Sequence, residues 1–267
     1  MPGMRLARYR GICTRGLVPW AFGDLVSKIQ YGGLGMDDCF MRAAYNEEFA
    51  MCGANGVSAA LNGRMISIEP IQRLANANIK SRALPDIVSG RKGSSLGITE
   101  PSGGSDVAGM KTTARFDSGT YVVNGSKTFI TGSMTSDFFV IGARTGSDGL
   151  AGISLFFVDA ATPGFSRTPL DRKMGWWYAD QATLYFENMP VPAKNLMGEE
   201  NLGFIAIMEN FNLERVALIA GALGMMRVCL AESIDWAQTR QTFGKPLIRH
   251  KIADMSARID AVEAYLN

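Results

Sequence analysis

The sequence predicts an α+β protein of several domains: a helical N-terminal domain, a middle antiparallel β-sandwich or barrel, and an incomplete C-terminal helical bundle. Three observations predict it. Up to about residue 90, apolar residues recur at helical spacing. After Leu96 the period shortens to short β-rich runs, punctuated by Gly, Asp, Asn and Ser. From Gly203 to about Thr242 there is no proline, and the apolar residues return to helical spacing. These changes set domains at 1–95, 96–195 and 196–267.

Residues 1–28 carry Arg5, Arg8, Arg10 and Arg15 with Asp24 as the only acid. Such a start is compatible with a transit segment, and a non-native start is the plainer reading. A glycine-rich turn follows at Tyr31–Met36. Asp37 and Asp38 are placed to cap a helix over about 37–53, with Ala43, Ala44, Phe49 and Ala50 on one face. Residues 57–79 read as one or two helices with Pro70 as a kink or start, and 80–90 as another ending at Gly90. Strands are expected at 112–116, 120–124, 128–131, 138–143, 152–158 and 183–186, with Asn124-Gly125 as a hairpin turn. Pro190 and Pro192 close the β region. Phe204, Ile207, Phe211, Leu218, Leu223, Met226, Leu230 and Ile234 mark one helix about 55 Å long. A last helix runs from about 248 to 266, and the chain stops inside its pattern, which reads as a truncated end.

The composition narrows the function classes. The 267 residues are 47% hydrophobic and 19% charged, with net charge +2. That balance gives no reason to expect nucleic acid or an anionic membrane as partner. No uninterrupted apolar run reaches the roughly 18 residues of a bilayer span. Cys13, Cys39, Cys52 and Cys229 are scattered, which reads as free thiols and no metal site. With His250 as the only histidine, Ser-His catalysis has a single candidate imidazole.

Two stretches carry chemistry. Ile98–Gly109 (ITEPSGGSDVAG) holds three glycines among hydroxyls, so its backbone N–H groups can approach an anion closely; a plain surface loop is the alternative. It is neither a G-x-G-x-x-G nor a P-loop pattern. In the long helix, Glu214 lies on the apolar stripe, three residues after Phe211 and four before Leu218. A carboxylate desolvated there suits a general base, whereas a solvated Glu-Arg step or a structural ion pair satisfies the spacing equally. Arg240, at a helix end with Thr242 and Phe243, is placed either to meet the helix dipole or to grip phosphate.

Read together, these segments resemble the acyl-CoA dehydrogenase family from about Tyr31 to Leu266. The blocks are ITEPSGGSDVAGMKTTA (98–114), VNGSKTFITG (123–132), PGF around Gly164, RKMGW around Gly175, FENMPVPAKNLMGEENLGF (186–204), LERVALIAGALG (213–224) and TRQTFGKPL (239–247). The resemblance implies the same order of helical, β and helical domains. It implies FAD as cofactor, and oxidation of an acyl-CoA thioester to the trans-2-enoyl-CoA in fatty-acid β-oxidation. A carboxylate removes the α-proton, a hydride leaves the β-carbon, and electrons pass to an electron-transfer flavoprotein. It also implies a homotetramer, in the bacterial cytoplasm or the mitochondrial matrix.

Carried over by motif, Leu96, Ile98, Thr99, Gly104 and Ser105 would touch the flavin and its ribityl-phosphate, with Ser105 also near the CoA. Phe129 would cover the flavin, where the family often has Trp, and Thr131 would bond near its N5. Arg240, Thr242 and Phe243 resemble residues that reach the FAD of a neighbouring subunit. Phe211 and Arg215 fall to the substrate side. Most members place the base in a C-terminal Tyr-Glu-Gly-Thr-like motif, which this sequence lacks. The isovaleryl-CoA and long-chain branches place it on the long helix in a Leu-Glu-Arg context, and Glu214 matches. Departures are Ala179, where many members have Ser at a CoA contact, and Lys251 after His250, where Gln is usual. A flavin oxidase or oxygenase on the same fold, and an inactive fragment, are the competing readings.

Overall fold

A computed structural model describes residues 27–35, 39–247 and 251–266. The expectations for the Arg-rich start, for Asp37 and Asp38 as caps, and for His250 and the Lys251 side chain lie outside the described residues.

The chain forms α1 (Cys39–Ala50), α2 (Asn55–Met65), α3 (Ile68–Leu74) and α4 (Ala77–Val88), then eight strands, then α5 (Gly203–Thr239) and α6 (Lys251–Leu266). The region expected as one or two helices over 57–79 divides into more pieces. Asn76 ends the run: its side-chain oxygen accepts from the Ile79 N–H at 3.0 Å and starts α4 as an N-cap. Pro70 sits in the first turn of α3, where its missing N–H removes no helical bond.

The strands are β1 (Ser94–Gly97), β2 (Thr113–Asp117), β3 (Thr120–Thr131), β4 (Phe138–Arg144), β5 (Ile153–Asp159), β6 (Phe165–Pro169), β7 (Gln181–Pro192) and β8 (Leu196–Met197). They form one sheet in the order β6-β7-β3-β2-β4-β5-β8, with β1 added parallel to β4. All other long pairings are antiparallel. Asn124-Gly125 does not turn the chain. β3 runs straight through it, and the register against β7 slips between Val123 and Gly125, a bulge whose extra residue lies on β7, where Asn188 takes φ +46°. The hairpin lies earlier, where Ser118 and Gly119 take φ +48° and +87° between β2 and β3.

β4 and β5 are buried on both faces, so their sequences read as continuous apolar runs. Successive side chains alternate. Phe138, Val140, Leu155 and Phe157 pack with Ile71, Leu84 and Ile87 of α3 and α4 and with Ile207 of α5. Phe139, Ile141, Phe156 and Val158 pack on the opposite face with Val123, Leu184, Phe186 and Met189 of β3 and β7. Two cores therefore share one pair of strands.

The described residues divide into two compact units, one of 27–35 and 59–212, the other of 39–58, 213–247 and 251–266. In the second, α1, the later part of α5, and α6 are joined by Arg227. Its Nε donates to Glu47 Oε1 at 2.7 Å, and its Nη2 meets Glu263 Oε1 at 2.6 Å. Ala50, Ala220, Leu223 and Ile259 are buried there. The expected stripe on α5 is only partly inward: Leu218 is 65% exposed. The helix is apolar on most sides, and its most apolar 18-residue window has a mean hydropathy of 1.6. By length and composition alone it could cross a membrane, although it holds no uninterrupted apolar run of that length; a single such helix is weak evidence, since a core helix meets the same criterion. Among the described residues Cys39, Cys52 and Cys229 are free thiols.

Gly224 sets how closely α5 approaches α1. A Cβ there would lie 2.2 Å from the carbonyl oxygen of Glu47. Gly224→Ala gains about 1 kcal/mol of helix propensity but must push two backbones apart, which costs about 1–3 kcal/mol. A net loss of stability is expected, read as a lower midpoint in urea unfolding followed by helical circular dichroism.

Candidate active site

The site grows from the loop that leaves β1. Glu100 and Gly103 exchange backbone bonds, N–H to O, at 3.1 Å each, a tight turn that Pro101 and the adjacent glycines permit. Asp106 Oδ1 accepts from the Gly109 N–H at 3.0 Å and caps a short turn at Val107–Gly109. The loop is closed by the Glu100 carboxylate. Its Oε2 accepts from the Lys111 N–H at 2.7 Å, and its Oε1 from the Thr112 N–H at 2.9 Å. Oε1 also receives Lys127 Nζ at 2.8 Å, and that ammonium donates to the Ile98 carbonyl at 3.1 Å. Glu100 is 6% exposed and Lys127 fully buried. A recess of about 130 Å³ opens over Glu100, lined also by Ile98, Ser102, Gly103, Asp106, Met110 and Lys111.

Burial acts on both charges, with opposite results. Desolvation pushes the Lys127 ammonium down from 10.5 to about 8, more than the attraction of Glu100 restores. Desolvation raises Glu100 too, but the Lys127 charge and the donors Lys127, Thr112 and Lys111 outweigh it and hold the carboxyl below its ordinary range. The carboxylate has more donors than the ammonium has acceptors, so Glu100 keeps its charge more firmly.

Around this pair the structure gathers the residues expected at the flavin. Leu96 is half-buried in β1, Ile98 is buried, Thr99 is half-buried, and Gly104 and Ser105 are exposed on the loop. The Thr128 N–H donates to the Thr99 carbonyl at 2.9 Å, which sets Phe129 beside Thr99. Phe129 sits in a second register slip of β3, at φ +59°, and is 63% exposed. A bulky residue in the left-handed region is strained, so the bulge aims an aromatic ring outward at a cost to the backbone. Thr131 Oγ1 accepts from Gln181 Nε2 at 3.1 Å, and its carbonyl accepts from the Ser95 hydroxyl at 2.8 Å. Ala179 is buried in a loop where Lys173 Nζ donates to the carbonyls of Trp176 and Ala179. Phe211, in the same unit, packs on the core between helices and sheet.

Glu214, Arg215, Arg240, Thr242 and Phe243 belong to the other unit. Glu214 is half-buried on α5 and Arg215 is exposed. Beyond α5 the chain makes a two-residue hairpin, β9 (Gln241–Thr242) and β10 (Lys245–Pro246). Its tip holds Phe243 at φ +53°, 100% exposed. Glu100 and Lys127 were not singled out from sequence, although both lie in the quoted blocks. A lysine at inward-facing parity, four residues after Val123 in β3, was the available signal.

These residues suit a ligand that is both planar and anionic. The backbone N–H groups of Gly104 and Ser105 and the hydroxyls of Thr99 and Ser105 have no hydrogen-bond partner among the described residues, and the Phe129 ring stands beside Thr99. That donor set fits a flavin with its phosphates.

The low Lys127 value gives a signed pH dependence. Between about pH 8 and 10.5 the unfolded chain holds a proton that the folded chain has released. Stability therefore gains with rising pH across that window, by up to about 1.4 kcal/mol per unit. Urea unfolding at pH 7.5, 9 and 10 should show this gain in the native chain relative to Lys127→Met.

The family model for the N-terminal domain of acyl-CoA dehydrogenase matches residues 22–91, that for the middle domain 95–189, and that for the C-terminal domain 201–267. An acyl-CoA dehydrogenase of Bacillus subtilis is 36% identical over 238 residues, covering 87% of this chain and 62% of the relative. A short-chain specific acyl-CoA dehydrogenase of Megasphaera elsdenii is 36% identical, covering 87% and 63%. The chain thus spans somewhat under two thirds of the length of these relatives. Among solved structures, a probable acyl-CoA dehydrogenase of Mycobacterium abscessus superposes with a TM-score of 0.87 at 37% identity, over 92% of this chain and 67% of that one. An FAD complex of PigA superposes at 0.88 with 26% identity, over 93% and 67%. Helical, β and helical regions in the same order, the matched loop, and these likenesses place the chain in the acyl-CoA dehydrogenase family of oxidoreductases.

Proposed function

We propose that the protein oxidises an acyl-CoA thioester to the trans-2-enoyl-CoA with FAD, in fatty-acid β-oxidation, and passes the electrons to an electron-transfer flavoprotein. The observation that carries this reading is Phe129, an aromatic held outward at φ +59° beside Thr99, on whose loop Gly104 and Ser105 leave their N–H groups open. When bound, FAD supplies the hydride acceptor. Glu214 takes the α-proton of the thioester, a task that its half-buried place on a largely apolar helix favours. Gly104 and Ser105 hold the phosphates, with Ser105 shared with the CoA. Leu96, Ile98 and Phe129 confine the ring, and Thr131 bonds near its N5. Phe211 and Arg215 shape the acyl side.

Arg240, Thr242 and the fully exposed Phe243 reach the FAD of a second copy, so the working assembly is a homo-oligomer, in this reading a tetramer. The domains of this reading are 1–95, 96–195 and 196–267, and its setting is the bacterial cytoplasm or the mitochondrial matrix.

The test starts from the visible spectrum of the purified chain, followed by anaerobic addition of acyl-CoA thioesters of graded length. Flavin bands that bleach with one thioester are expected. Glu214→Gln should keep the colour and slow bleaching by about 10²–10⁴-fold, the usual worth of a general base. A chain that stays colourless with added FAD would sink the reading. Phe129→Ala should weaken FAD binding about two- to tenfold, by the roughly 0.5–1.5 kcal/mol of a stacked ring, as followed by quenching of flavin fluorescence.

A further inference from the structure

We infer that Glu100 and Lys127 are positioning residues: their buried pair locks the 98–112 loop in the shape that receives the cofactor phosphates, and so sets the affinity of the site for flavin. The inference rests on the proposed flavin site and extends it to two residues that need not touch the ligand.

The geometry is that of a clasp. The loop leaves the sheet at Ile98 and returns at Thr112, where the Thr113 end of β2 pairs with Asn124 of β3. Its interior is held by the Glu100–Gly103 exchange, the Asp106–Gly109 cap, a Met110 N–H to Val107 carbonyl bond, and Arg144, whose guanidinium donates to the Ala108 and Met110 carbonyls at 2.6 and 3.1 Å. The ends are tied by one carboxylate. Glu100, near the start, accepts from Lys111 and Thr112, near the finish. Lys127, from the neighbouring strand, joins that carboxylate to the Ile98 carbonyl and so straddles Thr99. With the Ile98 carbonyl held inward by the ammonium and the Thr99 carbonyl held by the Thr128 N–H, the peptide planes on both sides of Thr99 are fixed. The outward donors of Thr99, Gly104 and Ser105 then stand in place before a ligand arrives. A preorganised site does not pay loop-ordering entropy on binding, and this is where affinity is gained.

A purely structural pair predicts something different. Removing one partner of a buried pair strands a charge and destabilises strongly, while removing both is often nearly neutral. Stability therefore recovers in the double variant. The clasp does not, because the bonds across the loop ends are still missing or weakened.

The experiment compares the full chain with Lys127→Met, Glu100→Gln and the double variant Glu100→Gln/Lys127→Met, with Gly224→Ala as a destabilised control in the other unit. Amide exchange of residues 98–112 is measured without FAD, and FAD affinity and the bound-flavin spectrum are measured separately. The single variants should exchange at least tenfold faster in the loop, bind FAD at least tenfold more weakly, and shift the flavin bands. The double variant should regain unfolding stability without regaining either loop protection or affinity. Gly224→Ala should keep FAD affinity within about twofold. Loop exchange unchanged in the variants, or affinity that returns together with stability in the double variant, would overturn the assignment. A native chain that takes up no FAD removes the proposed flavin site and the affinity half of the inference. The exchange data then still decide whether the pair holds the loop.

Discussion

A buried ammonium has no stable place in a protein unless something answers its charge, and much of this structure answers Lys127. The carboxylate of Glu100 and the carbonyl of Ile98 are its acceptors. For Glu100 to be there, the chain must turn at Pro101–Gly103 and come back to present the N–H groups of Lys111 and Thr112. β1 must then sit against β4, and it does so in parallel, as a strand added beside the main path of the sheet. Replacing such a pair by apolar residues often leaves a fold as stable as before, so stability alone does not explain it. Apolar side chains of the same volume would fill the core but could not hold backbone groups at both ends of a loop.

The same pair shows where sequence reading stops. Alternation along a strand fixes which side chains face inward, provided the strand is read at its full length. Taking Asn124-Gly125 as a hairpin cut β3 in two, and Lys127 then fell near the start of a short strand where parity carries no weight. Read through the bulge, Val123 and Lys127 share an inward face, and a charged residue there demands a partner. The helices, the long α5 and the β4–β5 runs were legible, because their periods extend over whole elements. β1 and β6 were not: four or five residues hold too little pattern to stand apart from loop.

The stripe on α5 failed for a different reason. Amphipathic helices betray their buried side because the other side is polar. α5 is apolar on most sides, so the spacing of Phe211, Leu218 and Leu223 could mark a helix but not a direction. Leu223 is buried and Leu218 is exposed, although both were read into one stripe. For Glu214 the consequence is specific. Its position three residues from Phe211 could not establish a desolvated carboxylate, and only the Leu-Glu-Arg context of the family singled it out among the acids of the helix.

Backbone strain separates the remaining candidates. Among the described residues, six non-glycine positions have φ between +46° and +68°. Three are Ser118, Asn188 and Asn201, small polar residues of the kind that enters this region most readily. The other three are aromatic and exposed: Phe129, Trp176 and Phe243. An aromatic gains nothing locally from a left-handed backbone, and its ring gains nothing from water. Each such position costs about 1–3 kcal/mol, a strain that the strands beside the Phe129 bulge and the hairpin bonds beside Phe243 must sustain. Strain of this kind marks a position as a candidate for function. Phe129 and Phe243 are the two aromatics that the family resemblance assigns to flavin, one to the FAD of its own subunit and one to that of a neighbour. Both take a left-handed backbone, a property the resemblance did not use and which does not separate them from Trp176. Trp176 shares the property and stands three residues before Ala179, the position where many members of the family carry a serine for CoA.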